Sequence, residues 1–180
     1  MASGRFAAAL NQPPMRRLTP SCRADCVINR AAIWRSRRLP PVHLLRQVFE
    51  RAATYGEAKA MLSETPLSIP AFFTLAGPAD GEGAVIERSE SAVQVREAPA
   101  SIANHWIAGG RGGRMRGDDS PGRWRMMEEF LDRAVPGFSW VRPPILNPTT
   151  RLGVIVNPRK GSLVVQGFEA DGPATAVFRL

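Results

Sequence analysis

Lysine is almost missing from this sequence of 180 residues: only Lys59 and Lys160 among its 24 basic residues are lysine, and the rest are arginine. The formal net charge of +8 alone would suggest a nucleic-acid partner. Such an excess of arginine over lysine is more typical of codon bias in a GC-rich genome than of selection for phosphate contacts. The arginines are also spread along the chain, without the aromatic motifs of nucleic-acid modules. We therefore expect no nucleic-acid partner.

Cysteine and histidine are equally scarce, and their placement argues against metal or redox chemistry. Cys22 and Cys26 have the spacing C-x-x-x-C, which differs from the C-x-x-C of zinc and thiol–disulfide sites. His43 and His105 stand far apart in the chain. We expect no metal, no cofactor and no disulfide framework.

Long apolar runs are absent too. No stretch approaches the roughly 20 apolar residues of a membrane span. The apolar run at residues 6–10 is too short for the core of a secretory signal. The sequence therefore predicts a cytoplasmic protein without a membrane span, or a fragment of something longer. Its 44% of hydrophobic residues is enough for a single domain over residues 1–180.

The first half of the chain predicts a strand and two helices. Residues 5–10 favour a buried strand, whereas residues 15–41 show little periodicity and predict an irregular insertion or loop. A helix is predicted from Pro41, with these apolar residues on one face: Val42, Leu45, Val48 and Phe49. Thr54 and Glu57 have the spacing of a capping box, which predicts the start of a second helix.

The second half is dominated by short strand patterns. Runs at residues 72–76, 84–87 and 93–96 are separated by turn residues, as in an antiparallel meander. Residues 101–104 are predicted as a fourth strand, and the glycine- and arginine-rich residues 107–119 as a loop.

The C-terminal part combines one helix with three more strands. Ser120 is predicted as an N-cap and Pro121 as the first residue of a helix that reaches about Ala134. Strands are predicted at residues 152–156, 162–165 and 174–178. Because strands and helices are grouped rather than alternating, the expected class is α+β.

Several segments, taken in order, resemble one family. Residues 46–88 contain the patterns T-Y-x-E-A, P-A-F-F and G-E-G-x-V-I-x-R, and residues 103–106 read A-N-H-W. Residues 4–12 end in L-N-Q where the family has L-N-E, and residues 118–121 (D-D-S-P) are similar to its D-D-x-x-T-P. The ordered set resembles the C-terminal portion of acid ceramidases and N-acylethanolamine acid amidases, within the choloylglycine hydrolase-like group of linear amide hydrolases.

This resemblance implies a fold and a chemistry. The fold would be a four-layer α-β-β-α sandwich of antiparallel sheets, of the N-terminal-nucleophile hydrolase type, incomplete at the N-terminus. The reaction would be hydrolysis of linear amides by an N-terminal cysteine whose own amine serves as the base. Asn104 would serve the oxyanion or that amine. Either Arg123 or Arg116 would be the arginine that follows it in the site.

The same resemblance implies which residues bind the substrate, and it requires a cysteine nucleophile that neither cysteine of the chain provides. Asn11, Gln12, His105 and Trp106 would line the substrate site, with Gln12 in place of the family's acid. Cys22 and Cys26 lie on the wrong side of the first strand to be the nucleophile.

We therefore expect a fragment or split subunit, inactive alone, that works with a separate N-terminal segment on a small acylated amine. Two alternatives remain open. One is a non-catalytic binding protein that keeps the fold, and the other is a basic interaction module formed by residues 107–125.

Overall fold

The computed structural model of the chain describes residues 4–109, 112–131, 133 and 135–180. Helices and strands are grouped along these residues, as the α+β prediction requires. The helices are α1 (Cys22–Arg35), α2 (Pro41–Arg51), α3 (Tyr55–Glu64) and α4 (Ser120–Glu128). The strands are β1 (Ala7–Asn11), β2 (Met15–Arg16), β3 (Ala71–Ala76), β4 (Gly83–Arg88), β5 (Val93–Glu97), β6 (Gly113–Arg114), β7 (Leu152–Asn157), β8 (Ser162–Glu169), β9 (Gly172–Pro173) and β10 (Phe178–Arg179).

The larger sheet is antiparallel and has the order β1-β3-β4-β5. The predicted meander of β3, β4 and β5 is confirmed. The prediction of a strand at residues 101–104 is wrong, because β1 fills the place beside β3. Residues 101–104 instead cross one face of the sheet, where side chains from the strands hold their backbone.

Helices α2 and α3 cover the other face of this sheet and form the core with it. Alternate residues of β3 point toward the helices: Ala71, Phe73 and Leu75 belong to the core cluster, whereas Phe72, equally buried, faces the opposite side. From the helices, Leu44, Val48 and Leu62 are fully buried in this cluster.

The predicted start of α3 is confirmed. Thr54 is its N-cap, and its hydroxyl accepts a hydrogen bond from the Glu57 N–H at 3.1 Å. The Glu57 carboxylate reaches back to the N–H of Ala53 at 2.7 Å. The predicted apolar face of α2 is confirmed for Val48, Leu45 and Phe49, which lie in or against the core. Val42 is instead 58% exposed, and Leu44 takes its place in the core.

The prediction of an irregular segment at residues 15–41 is wrong over most of its length. Helix α1 lies there, capped by Ser21, whose hydroxyl accepts from the Ala24 N–H at 3.3 Å. The preceding β2 pairs with β6, inside the predicted loop at residues 107–119. Glycine is required at Gly113, since a Cβ there would approach the Met15 carbonyl oxygen to 2.6 Å.

A buried ion pair joins α1 to β6. Asp25 is fully buried, and the Arg114 Nε donates to its carboxylate at 2.7 Å. Thr19 adds hydrogen bonds from its N–H and its hydroxyl, and Leu18 adds one from its N–H. Burial alone would raise the pKa of Asp25, but these donors outweigh it and lower the pKa to about 2.

We expect the charge of Asp25 to stabilise the protein at neutral pH and to lose this effect in acid. Its pKa in the folded protein lies below the ordinary 3.8, so the unfolded chain takes up the proton first as the pH falls. Unfolding in urea from pH ~6 to ~2 should therefore show Asp25→Asn less stable than the natural protein near pH 6. That difference should shrink toward zero near pH 2. A stability difference that is independent of pH would contradict this account.

The closing strands form a second antiparallel sheet with the order β10-β8-β7, and β9 pairs with β8. The predicted strands at 152–156 and 162–165 are confirmed, whereas 174–178 is mostly not a strand. Phe138 packs against Gly153 and Phe168 on one face. The strand pairing places these apolar residues on the opposite face: Leu152, Val154, Val156, Leu163, Val165, Phe178 and Leu180. Several of them are exposed, so this face lacks a covering layer within the described residues.

Candidate active site

Asn104 lies on the face of the larger sheet that the helices leave open. Its carboxamide oxygen accepts hydrogen bonds from both terminal nitrogens of Arg123, each at 3.2 Å. Its Nδ2 donates to the backbone carbonyl of Gln12 at 2.8 Å. Because a guanidinium only donates and a carbonyl only accepts, the two partners fix which end of the amide is oxygen. The second N–H of Nδ2 has no partner among the described residues.

Arg123 is itself fixed on both sides. Its Nε donates to the Asp118 carbonyl at 2.8 Å, which leaves its terminal nitrogens directed at Asn104. Gly117 adopts φ +69°, and a Cβ there would lie 3.0 Å from the Arg123 Nη2. Burial lowers the pKa of Arg123, while Asp118 and Asp119 raise it. The guanidinium nevertheless stays charged at any ordinary pH.

Helix α4 anchors the Asn104 backbone. The prediction of Ser120 as N-cap is off by one residue: Asp119 caps the helix with φ +35°, and its carboxylate accepts from the Gly122 N–H at 3.0 Å. Ser120, fully buried, instead accepts a hydrogen bond from the Asn104 N–H at 2.7 Å. The helix ends at Glu128, short of the predicted end at about Ala134, which lies outside the described residues.

His105 contacts the same serine. Its Nδ1 lies 2.9 Å from the Ser120 hydroxyl, and its ring packs edge-on against Trp124. Burial lowers the pKa of His105, and so does Arg123, although Glu87 raises it. A neutral ring can accept the Ser120 proton at Nδ1, which leaves the serine oxygen to accept from Asn104. His105 thus supports the position of Asn104.

Three further predicted residues lie around this centre. Asn11 donates from Nδ2 to the carbonyls of Ile102 and Ala103, at 3.4 and 3.2 Å. Gln12 contributes its backbone carbonyl, while its side chain is exposed. Arg116 donates from Nε to the Pro13 carbonyl at 3.1 Å and so holds the strand end next to Gln12. The structure therefore joins Arg123, and not Arg116, to Asn104.

Trp106 lies on the sheet beside a cavity. Its ring meets Phe72 edge-on at 4.8 Å between centroids. A cavity of about 230 Å³ opens next to it, lined also by Glu87, Gln94 and Pro14. Glu87 is almost fully buried, and sequence reasoning missed it. The signal for it was a carboxylate inside the apolar strand pattern of β4, where an unpaired charge would be costly.

The arrangement suits stabilisation of negative charge. An oriented amide N–H and a fixed guanidinium are the groups that favour an oxyanion in acyl transfer. Cys22 and Cys26 are both exposed on α1 and make no contact with Asn104 or Arg123. No cluster of histidine, cysteine or acidic side chains suited to a metal occurs within the described residues. None of the described helices is long and apolar enough to cross a membrane.

Comparisons with known proteins give a consistent picture. No protein-family model matches the chain. It is 32% identical to an acid ceramidase of Heterocephalus glaber over 104 residues, which are 58% of this chain and 20% of that protein. It is 46% identical to the Rattus norvegicus acid ceramidase over 50 residues, 27% of this chain and 13% of that protein. The chain thus matches a fifth or less of the length of these relatives.

The fold has a solved counterpart. A Caenorhabditis elegans N-acylethanolamine-hydrolyzing acid amidase ortholog superposes with a TM-score of 0.61 and 22% sequence identity. The match covers 99% of this chain and 74% of that one. The chain therefore shares this fold over nearly all of its length, in agreement with the predicted α+β class with antiparallel sheets. The chain is thus similar in sequence to acid ceramidases and in fold to an acid amidase ortholog, over part of these proteins' length.

Proposed function

We propose that the chain is a fragment or split subunit of an amidase that hydrolyses the C–N bond of small acylated amines. The observation that carries the proposal is the Asn104 carboxamide, oriented by Arg123 with one N–H left for a ligand. The substrate class would be an N-acyl ethanolamine, a ceramide-like lipid or an acyl-amino compound, by analogy with the names of the relatives.

The proposed chemistry assigns one role to each group. A cysteine on a separate N-terminal segment attacks the amide carbonyl, after its own α-amine, with a pKa of about 8, has taken the thiol proton. The Asn104 Nδ2 donates to the oxygen that becomes negative. Arg123 holds the carboxamide in place and adds positive charge nearby. The amine leaves, and water hydrolyses the acyl-enzyme.

Two surfaces support a partner segment. Strand β1 forms the edge of the larger sheet, and no described strand pairs with its outer side. Its sequence, AAALN, carries no charge that would discourage pairing with another strand. The second sheet presents an exposed apolar face, and such faces often mark sites of association. An added segment would pair with β1 and bring its cysteine to the end of the sheet where Asn11 and Asn104 lie.

The test is reconstitution. The chain is assayed with N-acyl ethanolamines and ceramide-like amides, first alone and then co-expressed with the segment encoded immediately upstream of it. We expect no activity alone and amide hydrolysis with a segment that carries a cysteine followed by an arginine and an aspartate. Replacing that cysteine with alanine is the control and should abolish the activity. A folded complex that cleaves none of these amides would overturn the proposal.

A non-catalytic binding protein is the second candidate, favoured by the absence of either cysteine from the Asn104 contacts. It predicts that the chain alone binds an acylated amine without turnover, and that no upstream cysteine segment is encoded. The basic interaction module has less support. Three arginines from its proposed surface are engaged within the protein: Arg114, Arg116 and Arg123. A nucleic-acid complex would show steep salt dependence, and we expect no binding even at low salt.

A further inference from the structure

One row of paired residues runs across all four strands of the larger sheet. Asn11 in β1 pairs with Phe72 in β3, Phe72 pairs with Glu87 in β4, and Glu87 pairs with Gln94 in β5. Directly paired residues point to the same face of a sheet. This row of four therefore lies on the face opposite to α2 and α3.

Residues 101–108 run along this row, and we call them the crossing segment. At its beginning, Asn11 donates to the carbonyls of Ile102 and Ala103. At its middle, Trp106 packs edge-on against Phe72. The crossing segment forms no strand, so its position depends on these side chains.

The later part of the crossing segment is held by Glu87. Its carboxylate accepts hydrogen bonds from the N–H of Ile107 at 3.0 Å and from the N–H of Ala108 at 3.3 Å. Arg96 lies beside it, with Nε 3.5 Å from the carboxylate. The other end of the Arg96 guanidinium donates to the carbonyl of Ser101 at 2.6 Å. Glu87 and Arg96 together thus tie both ends of the crossing segment to the sheet.

Packing within the sheet does not explain why a buried carboxylate occupies position 87. Its side chain is only 1% exposed and follows three apolar residues of β4, Ala84, Val85 and Ile86. A valine or isoleucine would suit such a strand better, because glutamate is disfavoured in sheets and a buried carboxylate is costly unless it is well bonded. Within the described residues, its hydrogen bonds go to the crossing segment, which carries Asn104.

We propose that Glu87 is a positioning residue that sets the place of the Asn104 carboxamide by holding residues 107–108, with Arg96 holding residue 101. The catalytic consequence rests on the proposed amidase function, whereas the geometric claim does not. Asn104 lies between the two points of attachment, three residues from Ile107 and three from Ser101. Release of one end allows the carboxamide to leave the Arg123 guanidinium and the Gln12 carbonyl.

The test uses NMR on the whole chain, with Glu87→Gln, Glu87→Ala and, as the matched control, Glu90→Gln. Glu90 is the nearby glutamate in the β4–β5 turn and also borders the cavity. We expect Glu87→Ala to speed amide exchange at Ile107 and Ala108 by roughly tenfold or more, the factor for one lost hydrogen bond. It should also shift the Asn104 side-chain amide signals. Glu87→Gln keeps one acceptor oxygen and should give a smaller shift, and Glu90→Gln should give none.

Thermal unfolding of each variant separates positioning from a general loss of structure. If Glu87→Ala does not fold, the nearly isosteric Glu87→Gln decides. Unchanged Asn104 side-chain signals in a folded Glu87 variant would overturn the proposal, even if exchange at Ile107 rises. In a reconstituted active complex, Glu87→Gln should lower kcat with little change in KM. Because the NMR measurements need no activity, failure of the amidase proposal would leave their outcome readable on its own.

Discussion

Replacing Asn104 with alanine is expected to lower kcat of the reconstituted amidase by roughly 10²–10³-fold, the cost of losing one oxyanion donor, about 2.7–4 kcal/mol of barrier. The physical reason is that the Asn104 Nδ2 is already oriented by Arg123 and the Gln12 carbonyl before substrate binds. An oriented donor needs no reorganisation when charge develops. The measurement is steady-state hydrolysis of the best amide found in the reconstitution, with KM expected to change little.

The matched control is Asn157→Ala, which removes an exposed asparagine side chain at the end of β7, where it accepts from the Lys160 N–H. It should leave kcat unchanged. Circular dichroism of both variants checks that the fold is intact. A folded Asn104→Ala complex with the natural kcat would show that Asn104 is not a catalytic residue.

Replacing Phe73 with alanine is expected to lower the free energy of unfolding by about 3–5 kcal/mol, the usual cost of deleting a buried phenylalanine side chain. Phe73 is fully buried between the larger sheet and α2 and α3. The loss is a large part of the 5–15 kcal/mol that holds a typical domain together. Urea unfolding followed by circular dichroism measures the change.

The neighbouring Phe72→Ala provides a comparison from the other face of the same strand. Phe72→Ala should lower the free energy of unfolding by a similar amount, since Phe72 is also fully buried. Of the two variants, only Phe72→Ala should shift the indole N–H signal of Trp106, because the two rings are in contact. Phe178→Ala, at a side chain that is 60% exposed, should change stability by less than about 1 kcal/mol. Equal shifts of Trp106 in the Phe72 and Phe73 variants would contradict the assignment of the two faces.

The parts of the fold that could be predicted from sequence are those set by local patterns. The capping box at Thr54 fixes a helix start within four residues of chain. The β3–β5 meander follows from short apolar runs between turns. Asn104 could be singled out only through the family resemblance. Its pairing with Arg123 rather than Arg116 depends on how residues 107–119 fold back, which no local pattern encodes.

The incorrect predictions have a common cause, which is contact between residues that lie far apart in the chain. Helix α1 has no strong apolar stripe, and its one fully buried side chain is Asp25, whose partner Arg114 lies 89 residues away. Residues 101–104 were predicted as a strand. They are instead drawn across the sheet by Asn11 and Arg96. Glu87 was not singled out, because the N–H groups that its carboxylate accepts from lie about 20 residues away in the chain.

The row of paired residues across the larger sheet restricts how its strands can change length. Side chains alternate between faces, so inserting a single residue upstream of Glu87 within β4 would turn the carboxylate toward α3 and the Ile86 side chain toward the crossing segment. A change of two residues would keep the same face. The same parity applies to β1 and Asn11. We therefore expect single-residue insertions to be tolerated better in the turns than within these strands.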